Sequence, residues 1–297
     1  MATAEAGKPT LLLEGLYFGE GPRWHDGRLY FSDFFDYAVK AVDLDGNVEK
    51  VVEVQQIPSG LGWLPDGRML VVSMRDRKVL RLDADGLVEH ADLSGIATFD
   101  CNDMVVDASG RAYVGNFGFD LHTFIHEEGV EGALADPGPP KATLARIDPD
   151  GMVHAAAPDL KFPNGSVITP DGSTLIVAET LGLRLTAFDI AADGTLSNRR
   201  LWADLGARPP DGICLDAEGH IWVANPLAPE CFLVAEEGHV LDVVETDQPC
   251  FACMLGGPER RHLFMMTCPS SDPAVASGQR EGHVMVAEVG VPGAGLP

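Results

Sequence analysis

The strongest constraint on this chain is a recurring distance. Ser59 stands eight positions ahead of the turn glycine Gly67, Asn102 eight ahead of Gly110, Asn164 eight ahead of Gly172 and Asp211 eight ahead of Gly219, while Glu20 stands seven ahead of Gly27. A repeat of about 40 to 45 residues, built from short apolar strands and Asp-Gly or Ser-Gly turns, is the signature of a β-propeller blade. Within such a repeat, the position that changes identity inside a constant frame is the one facing the shared central channel. Glu20, Asn102, Asn164 and Asp211 are expected to meet there.

Each repeat reads as two apolar strands around a turn. Met104-Val-Val106 and Ala112-Tyr-Val114 flank Asp107-Ala-Ser-Gly110, and Ile213-Cys-Leu215 and Ile221-Trp-Val223 flank Asp216-Ala-Glu-Gly219. These are hairpins with the expected turn residues. Later stretches such as Val79-Leu-Arg-Leu-Asp83 and Leu185-Thr-Ala-Phe-Asp189 alternate in the manner of strands farther from the axis. Counting inner hairpins gives six blades, opening near Gly19, Ser59, Cys101, Pro163, Pro210 and Cys250, with Leu11-Leu-Leu13 as the outer strand that closes the ring on the last blade. The expected fold is all-β: one six-bladed β-propeller over residues 1–297 with a central metal-binding channel.

Topology then sorts the loops. Those following the second strands begin at Ser32-Asp33, Ser73-Met-Arg75, Gly115-Asn116, Glu179-Thr180, Asn225-Pro226 and Thr267-Cys268, and they return to the rim that carries the channel residues. The third is unusually long. Residues 117–140 read as an irregular insertion, and a loop of that length in a compact fold is commonly functional, so it is expected to cap the rim of the site.

Composition narrows the partners. With 45 acidic against 21 basic residues, the net charge of −24 repels phosphate backbones and anionic lipid headgroups, which excludes nucleic acid and membrane as expected partners. A divalent cation is the natural exception. No apolar run has the roughly 18 to 20 residues of a membrane span. Glu5 and Pro9 stand where a secretory leader needs a basic end and an apolar stretch, so the expected location is cytoplasmic. The expected state is a monomer or weak homo-oligomer. Six cysteines in such a chain read as small buried hydrophobes, and Cys250-Phe-Ala-Cys253 has the spacing of half a zinc site without a matching second half.

Glu20, Asn164 and Asp211 offer three oxygen donors from three blades, a set suited to Ca²⁺, Mg²⁺ or Mn²⁺. Without a cation the two carboxylates repel, and one of them should take up a proton. Arg75 is the basic residue expected near the pocket, free for a substrate carboxylate or paired with Asp76 or Asp33. His122 and His126, four apart, would share a face only on a helix.

Gly19-Glu-Gly-Pro-Arg-Trp24, Leu29-Tyr-Phe-Ser-Asp33, Asn102-Asp103, Pro163-Asn-Gly165, Pro209-Pro-Asp-Gly-Ile-Cys-Leu-Asp-Ala-Glu-Gly219 and Gly256-Gly257 together resemble the SMP-30/gluconolactonase/regucalcin family. The resemblance covers nearly the whole chain. It implies a six-bladed propeller holding one catalytic divalent metal, with Glu20, Asn164 and Asp211 as ligands, Asn102 near the water or substrate, and Asp211 as general base. Calcium is the first candidate ion, with magnesium, manganese, zinc and iron as alternatives. The implied chemistry is lactone opening by a metal-activated water; a phosphotriesterase or other ester hydrolase on the same site, or a calcium- or ligand-binding propeller without turnover, are the competing readings.

The chain departs from the family where sugar recognition usually occurs. Asp100 stands where many members carry Arg, and Gly115-Asn-Phe117 followed by Gly118-Phe-Asp120 replaces the usual Gly-Thr-Met. With Asn102, Asp100, Arg75, Phe117 and Phe119 as substrate-binding candidates, the expected substrate is a small lactone or ester less polar than an aldonolactone.

Overall fold

The computed structural model of the protein describes residues 6–294. Its strands form six four-stranded antiparallel sheets, the blades of a propeller. Blades one to five run outward in chain order from the inner strands Gly19–His25, Pro58–Trp63, Cys101–Val106, Pro163–Ile168 and Ile213–Leu215. Blade six starts with Cys250–Gly256 and takes Thr10–Leu16 as its outermost strand, paired to Gly282–Glu288. Each inner strand packs against the inner strands of both neighbouring blades, so the ring is closed.

Burial follows from this position. An inner strand has protein on both faces, and every residue of Cys101–Val106, Pro163–Ile168 and Cys250–Gly256 is buried. The outer strand Val48–Glu53 has no fully buried residue. Neighbouring inner strands approach backbone to backbone. A Cβ on Gly165 would lie 2.5 Å from the amide nitrogen of Ile213, and one on Gly212 would lie 2.7 Å from Cα of Ala252, so only glycine permits these contacts. Farther out, apolar rings join the blades, as where Trp24 of blade one stacks on Phe264 of blade six at 5.4 Å.

The second strands end in a ring of polar residues: Asp33, Ser73, Asn116, Glu179, Asn225 and Thr267. All six are buried. In three blades the side chain ties the incoming chain to the blade it enters, Thr267 doing so by donating to Asp247 at 3.0 Å. Asp33 accepts from the amides of Tyr17 at 3.2 Å and Phe18 at 3.1 Å and from Lys40 at 2.8 Å. Glu179 accepts from the amide of Lys161 at 2.8 Å, from Thr186 and from Arg184 and Arg199 at 3.0 Å.

Glu179 makes acid stability testable. Burial pushes its carboxyl up, but the hydrogen bonds from Arg184, Lys161 and Thr186 outweigh that and hold it below its ordinary value. A carboxyl depressed in the folded state contributes stability that is present above its unfolded value near about 4.3 and is lost as pH falls through the folded value. Glu179→Gln is expected to lower the unfolding free energy by about 2 kcal/mol at pH 7, with the gap to the parent protein narrowing below about pH 4. Urea unfolding at both pH values checks this, and an equal gap at both would show that the charge is not what matters.

One expectation needs correction. Residues 117–140 are not irregular throughout: they contain the helix α1 (Leu121–Ala133). Asp120 caps it, accepting from the amide of Thr123 at 3.1 Å and its hydroxyl at 2.9 Å. Gly129, with φ 72° and ψ 172°, breaks the helix between two shorter segments. A second, four-residue helix, α2 (Pro273–Ala276), lies in the corresponding loop of blade six. Among the described residues no helix is long and apolar enough to cross a membrane.

Candidate active site

The channel residues owe their aim to a repeated irregularity. In five blades the pairing of the inner strand with the second strand slips at or just after the channel position, between Glu20 and Arg23, Pro58 and Leu61, Cys101 and Met104, Pro163 and Ser166, and Cys250 and Ala252. A bulge bends its strand and re-aims one side chain. In blade five, Asp211 and Gly212 hold the equivalent position through paired backbone hydrogen bonds with Ala224, both 3.0 Å.

Glu20, Asn102, Asn164 and Asp211 line one cavity of about 200 Å³. All six returning loops contribute to its wall, one residue from each being Phe35, Met74, Phe117, Leu181, Leu227 and Pro273. The four polar side chains are themselves buried. Asn164 donates to the hydroxyl of Thr180 at 3.2 Å, the amide of Gly21 donates to Glu20 at 2.9 Å, and Ser59 reaches the Asn102 carbonyl oxygen at 3.4 Å.

The electrostatics are those of crowded acids. Burial pushes the Glu20 carboxyl well above its ordinary value, and the nearby charges of Asp211 and Asp103 add to the effect. Asp211 is likewise pushed well up by burial and by Asp103, with a hydrogen bond from Asn164 pulling the other way. Asp103 is raised by burial and lowered by Arg23. Arg23 is the buried counter-charge, and its guanidinium donates to the carbonyls of Pro22 at 2.7 Å and Met104 at 2.5 Å. Three carboxylates against one guanidinium leave an excess of two negative charges when all are ionised.

That excess, with hard oxygen donors and an Asp103 Oδ1 that has no hydrogen-bond partner, fits a divalent cation. Glu20, Asn164 and Asp211 supply two carboxylates and an amide. Among the described residues no three His, Cys, Asp or Glu side chains converge as a metal-binding group. Asp103 adds its charge to the same surroundings.

The remaining candidates divide. Arg75, Asp100 and Phe117 line the cavity. Phe119 does not; its ring packs on Phe124 at 5.4 Å and Phe162 at 6.5 Å and so supports α1. Arg75 makes no ion pair among the described residues, since Asp33, one of its expected partners, is held by Lys40 at 2.8 Å. Its charge acts on Asp100, whose carboxyl burial raises and Arg75 lowers. His122 and His126 share α1, yet only His122 lines the cavity while His126 is exposed. Cys250 and Cys253 are buried free thiols, and Cys253 sits 3.7 Å from the sulfur of Cys214.

Several contributors escaped the sequence reading. Phe251 occupies the channel position of blade six, but its turn glycine, Gly257, follows by six residues, which breaks the frame of eight. Arg23 and Asp103 are buried charges on inner strands, Asp103 on one whose every residue is buried.

Comparison with known proteins places the chain. Over 214 residues it is 26% identical to the pentonolactonase XacC of Haloferax volcanii, a match covering 70% of this chain and 66% of that protein, just under two thirds. It is 26% identical over 297 residues to the 6-deoxy-6-sulfogluconolactonase of Pseudomonas putida, covering 94% of both. The solved structure of regucalcin, a calcium-binding protein from Agrobacterium tumefaciens, superposes with a TM-score of 0.75 at 21% identity, covering 99% of this chain and 97% of that one, a likeness of fold. The profile of the SMP-30/Gluconolactonase/LRE-like region matches residues 18–269. With most of its propeller inside that match, the chain belongs to the SMP-30/gluconolactonase/LRE-like family.

Proposed function

We propose that this protein is a metal-dependent hydrolase that opens a lactone ring, and that its substrate is less polar than an aldonolactone. The observation that carries the reading is the meeting of Glu20, Asn102, Asn164 and Asp211 in one cavity. The lactonases among its relatives support the reaction class. Glu20, Asn164 and Asp211 would hold the ion. When bound, a divalent cation supplies a Lewis acid for the lactone carbonyl and makes water a nucleophile near neutral pH.

The chain's own groups do the rest. Asp211 takes the proton of the attacking water and returns it to the ring oxygen as the acyl C–O bond breaks, so the product is a hydroxy acid. Asn102 is placed to orient that water or the carbonyl by its side-chain amide. Arg23 keeps the surrounding acids from accumulating a charge too large to bury. The apolar wall excludes bulk water and favours a substrate with hydrocarbon character.

Cation dependence can be read without any substrate. Ca²⁺, Mg²⁺ or Mn²⁺ is expected to raise the melting temperature of chelator-stripped protein, by the equivalent of about 2.7 kcal/mol at a hundredfold excess over Kd. A lactone panel assayed with and without chelator then tests turnover. Melting curves that ignore all three ions would remove the cation from the proposal.

A further inference from the structure

One wall of the cavity comes from a single helix. Leu121, His122 and Ile125 line it, followed beyond the Gly129 break by Val130, Ala133 and Leu134, while Thr123, His126, Glu127, Glu128 and Glu131 are exposed. Spacings of three and four put Leu121, His122 and Ile125 on one face of the first segment and Val130, Ala133 and Leu134 on one face of the second. α1 belongs to blade three, and the cavity it lines is also lined by Ser271 and Pro273 at α2 on blade six. Blades three and six face each other across a six-membered ring, so α1 reaches over the mouth of the channel.

This roof is apolar and incompletely covered. Val130 is 40% exposed and Leu227 57% exposed although both line the cavity. Large hydrocarbon surface left open beside a polar floor is what an apolar ligand group would cover. The cavity of about 200 Å³ exceeds the roughly 150 Å³ that holds a benzene-sized ligand.

We propose that α1 makes the site selective for γ- or δ-lactones bearing an alkyl or aryl substituent, which lies along Leu121, Ile125 and Val130 while the lactone carbonyl sits at the channel floor. This rests on the lactonase reading above. Hydrolysis of δ-decalactone, δ-valerolactone and glucono-δ-lactone by the cation-loaded protein tests it. The expected order is δ-decalactone first, with its kcat/KM advantage over δ-valerolactone falling about tenfold in Ile125→Ala and in Leu121→Ala. Glu131→Gln, on the exposed face, should keep that ratio. A preference for either unsubstituted or sugar lactone, or a ratio unmoved in both wall variants, overturns the role of α1 and leaves the lactonase reading standing. If no lactone is hydrolysed, that reading falls, and calorimetry with 2-pentylcyclopentanone, a ring that cannot be hydrolysed, decides the wall by itself. Binding that weakens about tenfold in Ile125→Ala supports it, and absence of binding overturns it.

Discussion

Asp211→Asn is expected to lower lactone turnover at least about a thousandfold while leaving the protein folded. The change is nearly isosteric, so the close packing of Gly212 on Ala252 is undisturbed. What disappears is one negative charge and, in the proposed mechanism, the group that carries the proton between water and ring oxygen. Cation affinity should fall with it, because the donor set keeps only Glu20 as a carboxylate. Stability should move the opposite way. In the cation-free protein burial pushes both Glu20 and Asp211 up, and the charge of Asp211 adds to the shift of Glu20, so removing Asp211 relieves Glu20. A higher cation-free melting temperature together with lost turnover and weaker calorimetric cation binding is the combined signature. Turnover within tenfold of the parent protein would remove Asp211 from the reaction.

Arg23→Met should produce the largest loss of stability, roughly 3–5 kcal/mol in the presence of a chelator. Methionine fills similar space but leaves the carbonyls of Pro22 and Met104 without their buried donors. It also removes the buried guanidinium whose charge acts on Asp103 and Glu20. A divalent cation should restore part of the loss, since it replaces the missing positive charge. Urea unfolding with chelator and with Ca²⁺ measures both effects. A variant as stable as the parent without cation would show that the acids are protonated and need no counter-charge.

The two variants bear on what the sequence could disclose. The propeller was legible because turn glycines punctuate it at a constant distance from Ser59, Asn102, Asn164 and Asp211, and local turn chemistry is written in adjacent residues. The meeting of these side chains in one cavity follows from ring closure, which the count of hairpins and the spare strand at Leu11-Leu-Leu13 already required. The part that was not legible depends on contacts between blades. Arg23 is a surface-type residue until Met104, 81 positions away, is known to receive its hydrogen bond. Phe119 read as a pocket residue because nothing in the sequence says that Phe162 will cover it. α1 had a local signal in the Asp120 cap and in Leu121, Phe124 and Ile125, but Gly129 and the glycines and prolines that follow it hid the helix.

The pairing of Thr10–Leu16 with Gly282–Glu288 sets an order on assembly. Of the described strands Thr10–Leu16 is made first and its partner Gly282–Glu288 last, so the circle stays open until the sixth blade has been made, however well the intermediate blades have formed. During that interval Leu11, Leu12 and Leu13 wait on an unmatched edge, a segment that invites pairing with a neighbouring nascent chain. Formation of that pair is thus the event that turns a row of blades into a closed ring, the arrangement in which Glu20 and Asp211 share one compartment.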